Sequence, residues 1–475
     1  MTKAQKIKEK DIIVSFSDSM SSEDVTGSCI SIEYLDKNIL LECGLHQGKG
    51  IKEGYEINKR KFSFKVKELD VIILFHNHID HIGRVPLLYS RGCNSRIIVP
   101  NGSKKIIEKM WVNCSMILNG EAKILSKKLG RIVDPLFTDD DVANALGHVE
   151  ELPIYAEHEI LDGVVLKYLS SGHVAFGTSG ILKIKKNEIW KTVYYTSDLG
   201  NPLYKNYYVH NLDKVKNADL TISECTYSNK EKSCSYPNQR VKDIETIKNV
   251  INQYCVEKRG KILIPVFAFH RAQQMGMLLY EMFHDDESFK IPIYYDSVLL
   301  RELNLIFADE FEEFSKVLKW KNMRMIEDRK ERFAVMESSE PCIILSAGGM
   351  LQGGASVRWL EKLAPSTKNL ILFCGYCGEN TLGHKLKLKK QKTVTVNGNT
   401  VKNNIGVAKL KSFSSHIQYN ELIEYLSDIR CGKIALHHSN LESKIIFKKE
   451  LEEKLESKCN SAKVLAVNKS TKIRL

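Results

Sequence analysis

The feature that most constrains this chain is the run His76-Asn77-His78-Ile79-Asp80-His81. It follows Val71, Ile72, Ile73, Leu74 and Phe75, apolar and mostly β-branched or aromatic residues that read as a short buried strand after the charged Lys67, Glu68 and Asp70. Three imidazoles and a carboxylate, set where a strand gives way to a loop, can converge on one point, and that ligand mix suits zinc. The competing reading is a polar loop with solvent-facing histidines, against which the H-x-H-x-D-H spacing argues.

A chain of 475 residues has room for two or three domains, and its 43% hydrophobic and 27% charged residues are those of an ordinary folded protein. No apolar run approaches the roughly 18–20 residues of a membrane span, and the basic start leads into no apolar signal segment. A cytoplasmic protein with no membrane association is expected. The twelve cysteines follow no framework spacing and are expected as reduced thiols; Cys374 and Cys377 form a lone C-x-x-C. The formal net charge of +12 favours an anionic partner such as nucleic acid, although charge alone fixes no identity.

Around the metal motif, strands are expected at 11–16, 25–35, 38–43, 96–99, 164–169 and 192–196. The spacing of Ile106, Ile107, Met110, Trp111, Cys114, Ile117 and Leu118 predicts a core-facing helix over 103–128, and another begins at Asp139, where carboxylates suit the positive end of the dipole. This alternation suggests layered α/β packing. Further on, a strand is expected at 218–224, a helix over 239–258, a hairpin about Asn397-Gly398, a helix over 441–458 and a strand at 464–467. No appended domain is expected after them.

The metal motif resembles that of the metallo-β-lactamase superfamily, in which the first and third residues bind one zinc and the Asp-His pair a second. Glu42-Cys43-Gly44 resembles the family's D-C-G, Ser171-Gly172-His173 its third motif and Thr196-Ser197-Asp198-Leu199-Gly200 its fourth. The resemblance implies that His76, His78 and His173 hold one zinc, that Asp80, His81 and His438 hold a second, and that Asp198 bridges them. Glu42, standing where Asp is usual, would orient a ligand or its water, or serve structure alone. Two metals about 3.5–4 Å apart can clamp a phosphate and activate a water.

Ser223-Glu224-Cys225-Thr226-Tyr227 resembles the E-S-T-Y of the β-CASP nucleases, and residues 264–274 resemble I-P-V-F-A-x-G-R-A-Q with His270 in place of glycine. Residues 346–354 resemble the family's glycine-rich turn, whose glycines serve either tight packing or a phosphate. Phe413 to Tyr419 resembles F-S-A-H-x-D-Y with Gln418 for Asp. Leu436-His437-His438-Ser439-Asn440 resembles L-V-H-G-E with Ser439-Asn440 for Gly-Glu, and register favours His438 over His437 as the ligand.

The likeness is nearest to the group containing the pre-mRNA 3′-end processing endonuclease and its bacterial and archaeal relatives. It implies an α/β protein: an αββα sandwich from residues 1–207 and 396–475, with an α/β β-CASP cap of residues 208–395 inserted and single-stranded RNA held in a cleft. The implied activity is zinc-dependent cleavage of RNA, endonucleolytic and open to 5′-to-3′ exonucleolytic action, with His416, oriented by Glu224, as leaving-group acid. Arg271, Lys385, Lys387, Lys389 and Lys390 are candidate RNA contacts, the lysine run being equally readable as a solvated face. A homodimer or a complex with other RNA-processing proteins stays open. So does a hydrolase of another phosphodiester or a small ester, because the zinc site does not encode the substrate; an inactive scaffold is opposed by the full set of metal ligands.

Overall fold

The computed structural model describes residues 11–204, 206–234, 238–378, 380–388, 391–396 and 398–475. The chain divides into two compact units, Met1–Ser233 with Ser415–Leu475, and Cys234–Ser414.

The first unit is built on two seven-stranded sheets. One runs, edge to edge, Lys472–Arg474, Ile13–Ser15, Ile30–Tyr34, Lys37–Leu41, Val71–Ile73, Arg96–Pro100 and Val149–Leu152. The other runs Lys463–Ala466, Arg430–His437, Asn217–Glu224, Ile189–Tyr195, Thr178–Lys186, Val164–Ser170 and Glu157–Leu161. Alternation sends one side chain in two to the inner face, as along Val164–Ser170. Val14, Ile32, Leu41, Ile73 and Ile98 of the first sheet thus share a core with Leu166, Leu182, Val193, Ile222 and Ala435 of the second. Phe75 stands in that core edge-on to Tyr168 at 5.6 Å and to Tyr195 at 4.9 Å, contacts worth about 0.5–1.5 kcal/mol each beyond the area they bury.

Helices cover the outer faces. Ser103–Leu129 buries Ile106, Ile107, Met110, Trp111, Cys114 and Leu118, and the Trp111 indole donates to the Ile82 carbonyl at 2.9 Å. Ile117, expected on that face, is 54% exposed, because Leu118, four residues after Cys114, takes the inward position. Asp139–Gly147 starts on a capping box between Thr138 and Asp141. Tyr419–Ser427 and Leu441–Ser457 pack on the second sheet through Leu422, Leu426, Phe447 and Leu451.

The second unit has a parallel six-stranded sheet in the order Met323–Met325, Ile293–Asp296, Cys342–Ala347, Lys261–Val266, Leu370–Phe373 and Gly406–Lys409. Leu263, Ile344 and Ile371 pack there with Trp359 and Leu360. The expected hairpin pairs Thr393–Val396 with Asn399–Lys402; Asn397 itself lies outside the described residues. The helix expected over 239–258 is regular from Asn238 to Ile251 and then winds as a π-helix over Asn252–Glu257.

The bounds of the two units differ from the expected 207 and 395. Asn217–Glu224 pairs with Ile189–Tyr195 and Arg430–His437, which keeps it in the first unit, and Gly406–Lys409 pairs with Leu370–Phe373, which keeps it in the second. All twelve cysteines are free, and no helix among the described residues is long and apolar enough to cross a membrane.

Candidate metal centre

The motif His76 to His81 leaves the sheet after Val71–Ile73, and His78 starts the helical turn Ile79–Ile82. Its backbone is threaded tightly: a Cβ on Gly44 would lie 1.6 Å from the Asp80 carbonyl oxygen, so only glycine lets the loop pass there. Gly200 plays the same part for the next two loops, since a Cβ on it would lie 1.8 Å from the Gly172 carbonyl oxygen, one residue before His173. The parallel register of Glu224 with His437 brings Glu224 and His438 out at the same end of the second sheet.

These strand ends bring the candidate ligands together within the first unit. Ligand atoms of His76, His78, His173 and Asp198 lie within 4.8 Å of one another, as do those of Asp80, His81 and His438. Asp198 stands between the groups, with Oδ2 3.6 Å from Nε2 of His76 and of His173 and 3.4 Å from Nε2 of His81, and Oδ1 3.7 Å from Nδ1 of His438. His437 turns away, its Nε2 lying 2.9 Å from Ser19 Oγ and 2.7 Å from Ser21 Oγ.

Behind the histidines sits Glu42, fully buried and held at φ +59°. Its Oε2 pairs with His81 Nδ1 at 2.6 Å and accepts the Tyr195 hydroxyl at 2.6 Å, while Oε1 accepts Ser197 Oγ at 2.8 Å. Ser197 Oγ in turn lies 3.1 Å from His76 Nδ1. Glu42 therefore steadies two imidazoles, one directly and one through a hydroxyl. Sequence reasoning missed Tyr195 and Ser197; both lie in the stretch that ends at Asp198, where nothing but the fold links them to Glu42.

A second pair lies opposite. His416 Nδ1 is 2.9 Å from Glu224 Oε1, and His416 Nε2 is 3.9 Å from Asp198 Oδ2. The His416 side chain is 20% exposed, enough to meet a substrate atom.

The electrostatics follow from burial and these neighbours. Burial, with the charge of His81, pushes the pKa of His76 far below its usual value, and burial lowers His78 to about 4. For His81 burial acts downward but is outweighed by Glu42, Asp198 and Asp80, so its pKa rises. Burial would raise Asp198, yet His438, His81 and His416 hold it well below the usual carboxylate range. His416 rises to about 9 because Glu224 and Asp198 outweigh its burial.

The remaining candidates lie in the second unit. Arg271 opens the helix Arg271–Phe283 and is buried; Lys385 is exposed; Lys387 Nζ donates to the Gly375 carbonyl at 2.6 Å. Lys389 and Lys390 lie outside the described residues. His270 adopts φ +68°, the conformation that the usual glycine would take freely. In the first unit, Asn440 caps the helix Leu441–Ser457 through Ser443 N–H, Ser439 Oγ meets Ser228 Oγ at 2.8 Å, and Gln418 Nε2 donates to the His416 carbonyl at 3.0 Å.

Residues 23–178 match the model of the Metallo-beta-lactamase superfamily, and residues 272–386 match that of the Beta-Casp domain. The chain thus carries a metallo-beta-lactamase region and a Beta-Casp region. It is 27% identical to Transcription termination factor FttA of Methanocaldococcus jannaschii over 90% of this chain and 66% of that protein, just under two thirds of the relative's length. It is 26% identical to Integrator complex subunit 11 of Gallus gallus over 92% of this chain and 71% of that one, and 27% identical to Ribonuclease TTHA0252 of Thermus thermophilus over 86% and 89%. A crystal structure of a protein of unknown function from Enterococcus faecalis shares the fold, with a TM-score of 0.54 and 12% identity over 98% of this chain and 100% of that one.

The metallo-beta-lactamase superfamily implies a divalent metal, and the residues fit one. His76 Nε2, His81 Nε2, His438 Nε2 and Asp198 Oδ1 are buried with no hydrogen-bond partner among the described residues. Unsatisfied polar atoms of this kind cost about 1–3 kcal/mol each, a penalty that coordination of a cation removes.

Proposed function

We propose that this protein is a zinc-dependent ribonuclease that hydrolyses phosphodiester bonds of single-stranded RNA in the cytoplasm, cutting internally and open to 5′-to-3′ exonucleolytic action. The observation that carries the reading is the Glu224–His416 pair set against the cluster about Asp198. Many hydrolases need a metal centre, but an imidazole held beside one by a carboxylate is placed to give its proton to a poor leaving group such as a ribose alkoxide.

In this reading His76, His78 and His173 hold one zinc, Asp80, His81 and His438 hold a second, and Asp198 serves both. Two such ions supply Lewis acidity, easing deprotonation of the attacking water and offsetting the charge that gathers on the phosphoryl oxygens. Glu42 orients His81 directly and His76 through Ser197. Glu224 keeps the proton on His416 Nδ1, and His416 Nε2 gives its proton to the leaving 3′-oxygen, so that the products carry a 5′-phosphate and a 3′-hydroxyl. In the second unit, Cys234–Ser414, Lys385 and Lys387 offer charge to RNA phosphates. The relative named as a ribonuclease supports the substrate class, and the one named as an Integrator subunit supports a form bound to protein partners.

The test is incubation of zinc-loaded protein with 5′-labelled and internally labelled single-stranded RNA beside an Asp80→Ala/His81→Ala control. Discrete metal-dependent fragments that vanish in the control are expected, with binding that weakens steeply as salt rises. A zinc-loaded protein that neither binds nor cuts RNA at low salt, yet hydrolyses a small phosphodiester, would replace this reading with that of a small-substrate hydrolase.

A further inference from the structure

The turn after Asn217–Glu224 reaches both outer imidazoles of the centre. Glu224 contacts His416, and two residues on, Thr226 Oγ1 lies 2.9 Å from His438 Nδ1. The turn is braced: Thr226 N–H donates to Glu224 Oε2 at 3.0 Å, and the Cys225 thiol donates to the His437 carbonyl at 2.9 Å. His438 is fixed from the other side, where its N–H donates to the Ser21 carbonyl at 2.8 Å, and its backbone is held at φ +60°, which L side chains rarely adopt. Its Nε2 points toward Asp80 Oδ2 at 3.7 Å and has no hydrogen-bond partner among the described residues.

Which imidazole nitrogen keeps its lone pair is decided by the bond the other one makes. We infer that Thr226 is the positioning residue of His438: its hydroxyl oxygen accepts the Nδ1 proton, which fixes the tautomer and leaves Nε2 open to a divalent cation. The inference rests on the metal reading of the centre. The opposite arrangement, with the hydroxyl donating to Nδ1, would place the proton on Nε2 and close that ligand position. Thr226 and Glu224 thus divide the labour of one turn, the hydroxyl serving a ligand and the carboxylate serving a proton donor.

The test titrates the full-length, metal-stripped protein with zinc by calorimetry and with cobalt by visible absorption. Wild type is expected to take up two ions. Thr226→Val, isosteric but unable to accept, should keep one binding event and weaken the other by about 10–100-fold, and Thr226→Ser should restore it. A valine variant that binds both ions like wild type overturns the inference, as does a serine variant as weak as valine, which would point to packing of the methyl group. A readout independent of any variant is the histidine-selective ¹H–¹⁵N long-range spectrum of the zinc-loaded wild type: a protonated Nδ1 on His438 is expected, and a protonated Nε2 overturns the assignment. A wild type that takes up no ion overturns the metal reading itself, and this inference with it.

Discussion

His416 Nδ1 and Glu224 Oε1 meet at 2.9 Å while the same carboxylate oxygen accepts Leu199 N–H at 2.8 Å and Oε2 accepts Thr226 N–H at 3.0 Å. A carboxylate so pinned has one orientation to offer the imidazole, and its charge sets how firmly the proton is held.

The pKa of His416, raised to about 9 from the usual 6.5, means that the fold favours the protonated ring. Its contribution to stability is fully present below pH 6.5 and is lost as the pH rises through about 9. In the metal-free protein the His416 resonance should titrate near 9, and Glu224→Gln should bring it down toward 6.5. RNA cleavage by that variant should drop by about 10²–10⁴-fold, the usual worth of a placed general acid, read by single-turnover kinetics.

Glu42→Asp should be a loss here although Asp is the residue usual in relatives. Shortening the side chain by one C–C bond, roughly 1.5 Å, withdraws it from His81, Tyr195 and Ser197, all three of which it reaches now. Zinc affinity should weaken by about 10–100-fold in calorimetry, and Glu42→Gln, which keeps the length but loses the charge, should separate reach from electrostatics.

Chelation should lower thermal stability. Each ion that binds the folded chain alone, present at about 100 times its Kd, stabilises it by roughly 2.7 kcal/mol, so two contribute about 5 kcal/mol. For a unit of this size each ion's share corresponds to roughly 5–10 °C in Tm, which scanning calorimetry with and without a chelator would show.

In the second unit Asp296 is fully buried and accepts Arg332 Nε and Nη2 at 2.6 Å each and Trp359 Nε1 at 2.6 Å. Asp296→Ala leaves a guanidinium and an indole N–H without their acceptor and should cost about 3–5 kcal/mol in urea unfolding. Zinc uptake should be unchanged, since every candidate ligand belongs to the first unit.

The metal motif was legible because its four side chains are local, spaced by one strand end. That His173, Asp198 and His438 join this cluster was legible through resemblance alone, since nothing about a lone histidine or a turn aspartate announces where the fold will bring it. Tyr195, Ser197 and Thr226 were not legible: hydroxyl residues are common, and their partners are brought to them by sheet pairing across long separations. The strand Lys472–Arg474 escaped notice for a similar reason, being short and alternating, and gaining its meaning from Ile13–Ser15 at the other end of the chain. The interruption of the helix after Ile251 had no punctuating glycine or proline to mark it.

The split of the first unit sets an order on the chain's synthesis. A ribosome lays down His76 to His81, His173 and Asp198 early, then makes the whole of Cys234–Ser414 before reaching His416 and His438. Until that late segment emerges, Asp198 lacks two of its five imidazole neighbours, His416 and His438, and Asn217–Glu224 lacks its parallel neighbour Arg430–His437. A nascent chain therefore holds only part of the centre, which closes when the last strands and histidines join those already made.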